Sequence, residues 1–278
     1  LRVARAILVY GVAVILLGAL LAPWLFWLVQ WLAAHVDALA SWTRHPFKRI
    51  FNRSLLIVAL IGLWPLLRSI GYRTWSEFGY PRRAAWWRQI LVGFALGIVS
   101  LAVAALVGGR GVHWGDVTPG LVGKLLATAL AVGVIEETFF RGGLQGGLQR
   151  GMHWVVALVI ASVIYSAVHF LKPTGVKLAP DEVTWASGFT CLEQIVSKSF
   201  ARPEVLSGFV TLLLAGWVLG WAFIKSGALY LPIGLHAGWV LSNELVRELG
   251  GGTIIEDWRT WPVVLVVGVV IWRWPQRS

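Results

Sequence analysis

At 278 residues, 58% of them hydrophobic and only 13% charged, with a mean hydropathy of +0.74, the chain has too few polar groups to cover a water-soluble globule. Its net charge of +11 does not indicate nucleic acid, because the Lys and Arg lie between apolar blocks, where cations anchor helix ends at anionic headgroups, rather than on one basic arm. Cys191 is the single cysteine, which excludes internal disulfides and multi-cysteine metal sites.

Apolar blocks run over about 6–34, 54–67, 89–107, 121–148, 154–171, 206–224, 227–245 and 261–274. They predict an all-α, polytopic integral membrane bundle of about eight transmembrane helices, with the lipid bilayer as its first partner. The first block is too long for a signal-peptide core and is read as a retained helix. The second and eighth are short for a full span and need tilt or snorkelling arginines. No linker rich in Pro, Ser or charge interrupts the blocks, so residues 1–278 read as one membrane domain. The one long connection, 172–205, has a middle (185–200) with the pattern of an interfacial amphipathic helix. The 24 Lys and Arg divide evenly between the two faces, so the positive-inside rule does not fix the orientation by itself. Dense basic residues near helix ends favour cytoplasmic termini in a bacterial plasma membrane.

The fourth block holds the anomaly: Glu136 and Glu137 in mid-span, followed by Thr138, Phe139, Phe140 and Arg141. A carboxylate at that depth costs about 2 kcal/mol or more unless it is protonated, paired or facing a wet cavity. Arg141 follows Glu137 by four residues, on the same helix face, and is set to pair with it. Glu136 points about 100° away. It is then the reactive carboxylate and Glu137 the structural one, or the reverse. If the fourth and fifth blocks turn near Gly151, Glu136 lies roughly 23 Å from the turn and His169 roughly 26 Å, nearly level. His236 sits close to mid-membrane in the seventh block, with Asn243 almost two turns further on the same face. His35, His45, His113 and His153 fall at block ends or in loops. Each buried polar residue alone can be a packing staple; their convergence at one depth points to a shared intramembrane site.

A carboxylate and an imidazole holding one water can deprotonate it for attack on a carbonyl, while a further imidazole or amide stabilises the oxyanion. Glu136, His169 and His236 are equally a donor set for a divalent metal such as Zn2+, although no HExxH motif is present and no cofactor is required.

In order and spacing, Glu136-Glu137 with Arg141, then Tyr165 four before His169, then His236, resemble the EExxxR, FxxxH and HxxxN/D motifs of the CPBP family, which includes CAAX proteases, bacteriocin-processing enzymes and Abi-like proteins. The likeness covers the motif-bearing core, about 121–245. It implies an eight-helix intramembrane endopeptidase, described as glutamate-dependent or as a metalloprotease, in which Glu136 and His169 activate water. His236 and the following amide or carboxylate would serve the oxyanion. Its substrate would be a peptide or protein near the membrane surface, lipidated or not. Two positions depart from the pattern: Tyr165 replaces Phe, and Val240 stands where Asn or Asp is expected, unless Asn243 supplies that group. The second departure leaves open a catalytically inactive relative that binds a partner or confers immunity. A proton- or cation-coupled transporter is a third reading, weakened by the lack of an internal repeat.

Overall fold

The computed structural model describes residues 2–111, 115, 117–170, 178–198 and 204–274. Helices appear at all eight apolar blocks: α1 (Arg2–His35), α2 (Phe47–Ser69), α3 (Trp86–Val107), α4 (Pro119–Glu137), α6 (Trp154–Phe170), α8 (Glu204–Ser226), α9 (Tyr230–Glu248) and α10 (Thr260–Trp272). A π-helical stretch, Thr138–Gln145, and the short α5 (Gly146–Gln149) continue α4 without a break, and α7 (Ser187–Lys198) lies in the long connection. No strand occurs among the described residues. The protein is an all-α polytopic membrane bundle.

One length differs from the sequence-based expectation. α2 starts at Phe47 and has 23 residues. At about 1.5 Å per residue it crosses a ~30 Å hydrocarbon core unaided, its basic first turn being an anchor rather than a loop. Among the described residues, five helical runs are long and apolar enough to span: Arg2–His35, Phe47–Ser69, Trp86–Val107, Pro119–Gln149 and Leu206–Ser226. α6 and α10 are shorter apolar helices of 17 and 13 residues. α9 fails on composition, carrying His236, Asn243, Glu244, Arg247 and Glu248, and it can do so because its first half is buried by protein instead of lipid.

The described chain forms two compact units. In the first, Leu1–Gly71 with His169–Arg202, α1 and α2 pack as an antiparallel pair. Gly18 faces the backbone of Leu55 and its carbonyl accepts from Ser54 Oγ at 2.7 Å. α7 buries Ser187, Gly188, Cys191 and Ile195, a stripe of one helix face, and Gly188 seats directly on the Ala19 backbone. Cys191 and Ile195 join Phe26, Phe47 and Phe51 in the core there. The amphipathic helix expected over 185–200 is thus docked along α1; Phe200, like His113, Pro173 and Pro203, lies outside the described residues.

The second unit, Tyr72–Val168 with Pro203–Ser278, is built around α9. A side chain at Gly97 on α3 would stand 2.9 Å from Gly238 Cα of α9, and one at Gly133 on α4 would stand 2.9 Å from the Ile233 carbonyl oxygen. Small residues let helix backbones approach where lipid offers no hydrophobic drive for association. Gly133 precedes Glu137 by one turn, and Ile233 precedes His236 by almost one. The glycine contact therefore fixes which polar side chains meet.

Candidate active site

Glu137 is wholly buried and Arg141 is 2% exposed. Arg141 Nη1 donates to Glu137 Oε1 at 3.0 Å, and Nη2 donates to the Gly216 carbonyl of α8 at 3.3 Å. The guanidinium also stacks over the ring of Tyr165 on α6, 4.3 Å from its centroid. Glu137 Oε1 takes a second partner, His236 Nδ1 of α9, at 2.7 Å. A carboxylate paired to a guanidinium only accepts hydrogen bonds, so Nδ1 is the donor. This donation orients the imidazole and leaves Nε2 facing the other way. Nε2 lies 3.8 Å from Glu136 Oε2, whose side chain keeps 27% of its surface exposed.

The adjacent glutamates thus occupy different environments. Glu137 closes a buried ion pair that carries an imidazole, whereas Glu136 stands at the edge of the cluster with part of its side chain exposed and the Oε2 that faces His236 buried. The structure brings Glu136, Glu137, Arg141 and His236 together. His169, four residues beyond Tyr165 on α6, is half-buried and begins the portion of the chain assigned to the other unit. Asn243 is engaged elsewhere: its Oδ1 accepts from Ile254 N at 3.0 Å and from Thr253 Oγ1 at 3.4 Å, tying the end of α9 to the loop before α10. Val240, half-buried, offers no polar atom.

Several supports have no sequence signature. The helix widens to π geometry directly after Glu137, a local form that is rare and concentrated at functional sites. The loop over residues 72–85 holds this stretch from outside. Tyr72 OH donates to the Gly142 carbonyl at 3.2 Å, the Tyr80 hydroxyl bonds to Thr138 Oγ1, and Glu77 pairs with Arg150 at 3.1 Å. The same loop reaches α8 and α9 through Arg83 Nη1 to the Ser226 carbonyl (2.7 Å) and Tyr230 OH to the Pro81 carbonyl (3.0 Å). Gln145, fully buried, donates to the Gly220 carbonyl at 3.1 Å, one turn beyond the Arg141 contact. Tyr165 serves as the floor, its ring edge-to-face with His236 at 6.1 Å and with Phe140 at 5.1 Å. Trp239 donates to Ser100 Oγ at 2.9 Å and is a packing residue.

The Nδ1–H donation to Glu137 is the way a metal-ligating imidazole is commonly oriented, with Nε2 on the side of Glu136, while among the described residues no group of three or more His, Cys, Asp or Glu side chains is placed to hold an ion.

The segment that supplies this cluster is also the one that a family model matches. Residues 118–242 fit the family model of the Type II CAAX prenyl endopeptidase Rce1-like family. The match begins at the Thr118 cap of α4 and ends at Ser242 on α9, so it spans all three motifs while covering less than half of the chain. It is consistent with a CPBP or CAAX protease family and supports an intramembrane protease in general. No curated protein and no solved structure matches the chain.

Proposed function

We propose that the protein is an endopeptidase that hydrolyses a peptide bond near the membrane surface with a water activated by Glu136 and histidine. The observation that carries this reading is the His236 ring between two carboxylates, Nδ1 2.7 Å from Glu137 Oε1 and Nε2 3.8 Å from Glu136 Oε2. With Nδ1–H engaged, Nε2 presents its lone pair on the side of Glu136 Oε2, 3.8 Å away, near enough for one water to touch both. A water giving one hydrogen to each satisfies both and keeps its own lone pair for attack.

In the reaction, the water oxygen bonds to the scissile carbonyl carbon while its proton passes to Glu136, leaving an oxyanion. Collapse breaks the C–N bond, and the proton on Glu136 goes to the leaving nitrogen, giving a carboxylic acid and an amine. Glu137 and Arg141 do not react; they hold the imidazole in orientation and tautomer, as the buried acid does in a catalytic triad. The family resemblance assigns water activation to His169 as well, and oxyanion support to His236. No step is routed through a metal.

The substrate we propose is a peptide or protein segment reaching the bilayer surface, with a lipid-modified one as the narrower form. The loop over residues 72–85 and the C-terminal ends of α5 and α10 carry Arg73, Arg82, Arg83, Arg150 and Arg273, with Glu77 the one acid among them, which supports cytoplasmic termini in a bacterial plasma membrane.

One observation favours a second reading, a relative that binds peptide without cutting it: Val240 brings no polar atom and Asn243 is committed to Ile254. The test is reconstitution with candidate peptides, comparing wild type with Glu136→Gln, His169→Ala and His236→Ala by mass spectrometry of the products. Cleavage by wild type that each substitution abolishes supports hydrolysis. Peptide retained intact by wild type supports binding alone, and cleavage that survives Glu136→Gln overturns the mechanism.

A further inference from the structure

On the side of α8 away from Arg141 lies a groove of about 350 Å³ between α6, α8 and α10, lined by Trp154, Trp217, Val218, Trp221, Leu265 and Val269 among others. On α8 its lining follows one stripe, Leu214, Val218 and Trp221, and the next residue of that stripe is Lys225, whose ammonium stands 6.0 Å from the Trp221 ring centroid. On α10 the lining runs Leu265, Gly268, Val269, Trp272, and Arg273 follows immediately, exposed. Trp154 opens α6 at the same end and packs on Trp221 with ring centroids 5.3 Å apart.

Three properties identify the occupant. The groove opens on exposed apolar surface of a membrane bundle, so hydrocarbon is what meets it. From Lys225 down to Leu214 the rise along α8 is roughly 17 Å, close to the ~15 Å of one leaflet's hydrocarbon, so a single acyl chain fits from interface to midplane. At its mouth stand two cations, Lys225 and Arg273, and in the described loops of this unit at that end the only acid is Glu77, already paired with Arg150. A zwitterionic headgroup would bring another cation to cations; an anionic phosphodiester brings their complement.

We propose that this groove is a binding site for one anionic phospholipid, an acyl chain along the tryptophans and the phosphate at Lys225 and Arg273. It is separate from the Glu136–His236 cluster: α8 turns Gly216 and Gly220 toward Arg141 and Gln145, and Trp217 and Trp221 toward the lipid. The proposal therefore stands whether or not the chain cuts peptides.

The test is lipid retention. The full chain, stripped of lipid in neutral detergent, is loaded with equal amounts of phosphatidylglycerol and phosphatidylcholine of identical chains, re-isolated, and its lipid counted by mass spectrometry. About one phosphatidylglycerol per chain is expected, several-fold over phosphatidylcholine. Lys225→Gln should cut phosphatidylglycerol retention about fivefold, and Lys225→Gln with Arg273→Gln should remove the preference. Val269→Trp, at an exposed position that leaves the packed core intact, should fill the groove and lower retention of both lipids. Equal retention of the two lipids by wild type, or retention unchanged by Val269→Trp, overturns the proposal.

Discussion

Two interfaces of the molecule are assembled by the same device and filled with opposite chemistry. Between α1, α2 and α7, Gly18 and Gly188 bring backbones together over an apolar core of Phe26, Phe47, Phe51, Cys191 and Ile195. Between α4 and α9, Gly133 does the same over Glu137, Arg141 and His236. Close helix packing through glycine is thus common to both and marks no function. What differs is the burial of a charge cluster of a kind that an apolar filling often replaces with little loss of stability. Under the proposed mechanism that cluster orients His236, and Glu136, partly exposed beside it, is the carboxylate that meets the substrate.

The sharpest way to break this contrast acts on rate. Glu136→Gln keeps size and hydrogen bonding, so the fold should hold while peptide cleavage falls by about 10^2 to 10^4; product analysis and a melting curve on one sample check both halves. Arg141→Ala should act on stability first. It leaves Glu137 buried without its cation, a loss of about 3–5 kcal/mol, read as a lower melting temperature in detergent, and an apolar double replacement of Glu137 and Arg141 should recover most of it without recovering cleavage. In the apolar interface, Ile195→Val removes one buried methylene and should cost about 1 kcal/mol with cleavage unchanged. Equal sensitivity of cleavage to Ile195→Val and Arg141→Ala would erase the distinction.

The smallest expected effect is a pH dependence outside the membrane. The hydrogen bond from Arg150 holds the Glu77 carboxyl below the ordinary glutamate range. A depressed folded value means that its contribution is present above the unfolded value and lost as pH falls through the folded one. Melting temperatures of wild type and Glu77→Gln should therefore differ at neutral pH and converge on acidification below about pH 4.

The helices are legible in the sequence because apolar runs of membrane length have one satisfied backbone form, and the Glu137–Arg141 pair is legible because a spacing of four shares a helix face. The role of α9 is not: its composition fails a test for lipid-facing spans, and only the glycines it meets on α3 and α4 explain why it is interior. Which glutamate takes His236 Nδ1 also escapes sequence reasoning, since depth estimates place residues along the membrane normal and say nothing of azimuth. Asn243 illustrates the same limit. Sharing a face with His236, it nonetheless turns to a loop eleven residues ahead, because a free backbone N–H at Ile254 needs an acceptor. The Tyr80–Thr138 bond joins positions 58 residues apart and has no motif.

The π stretch after Glu137 has one further consequence. A wider turn holds one residue more than an α-helical turn and so absorbs it without turning the flanks; were the stretch from Thr138 to Gln145 to tighten to α geometry with all its residues kept, everything upstream would swing by about 100° against everything downstream. Tyr72 and Tyr80 grip the stretch at Gly142 and Thr138. The two phenols act as a clutch, keeping the carboxylate half of the rod in phase with the half that ends at the basic surface.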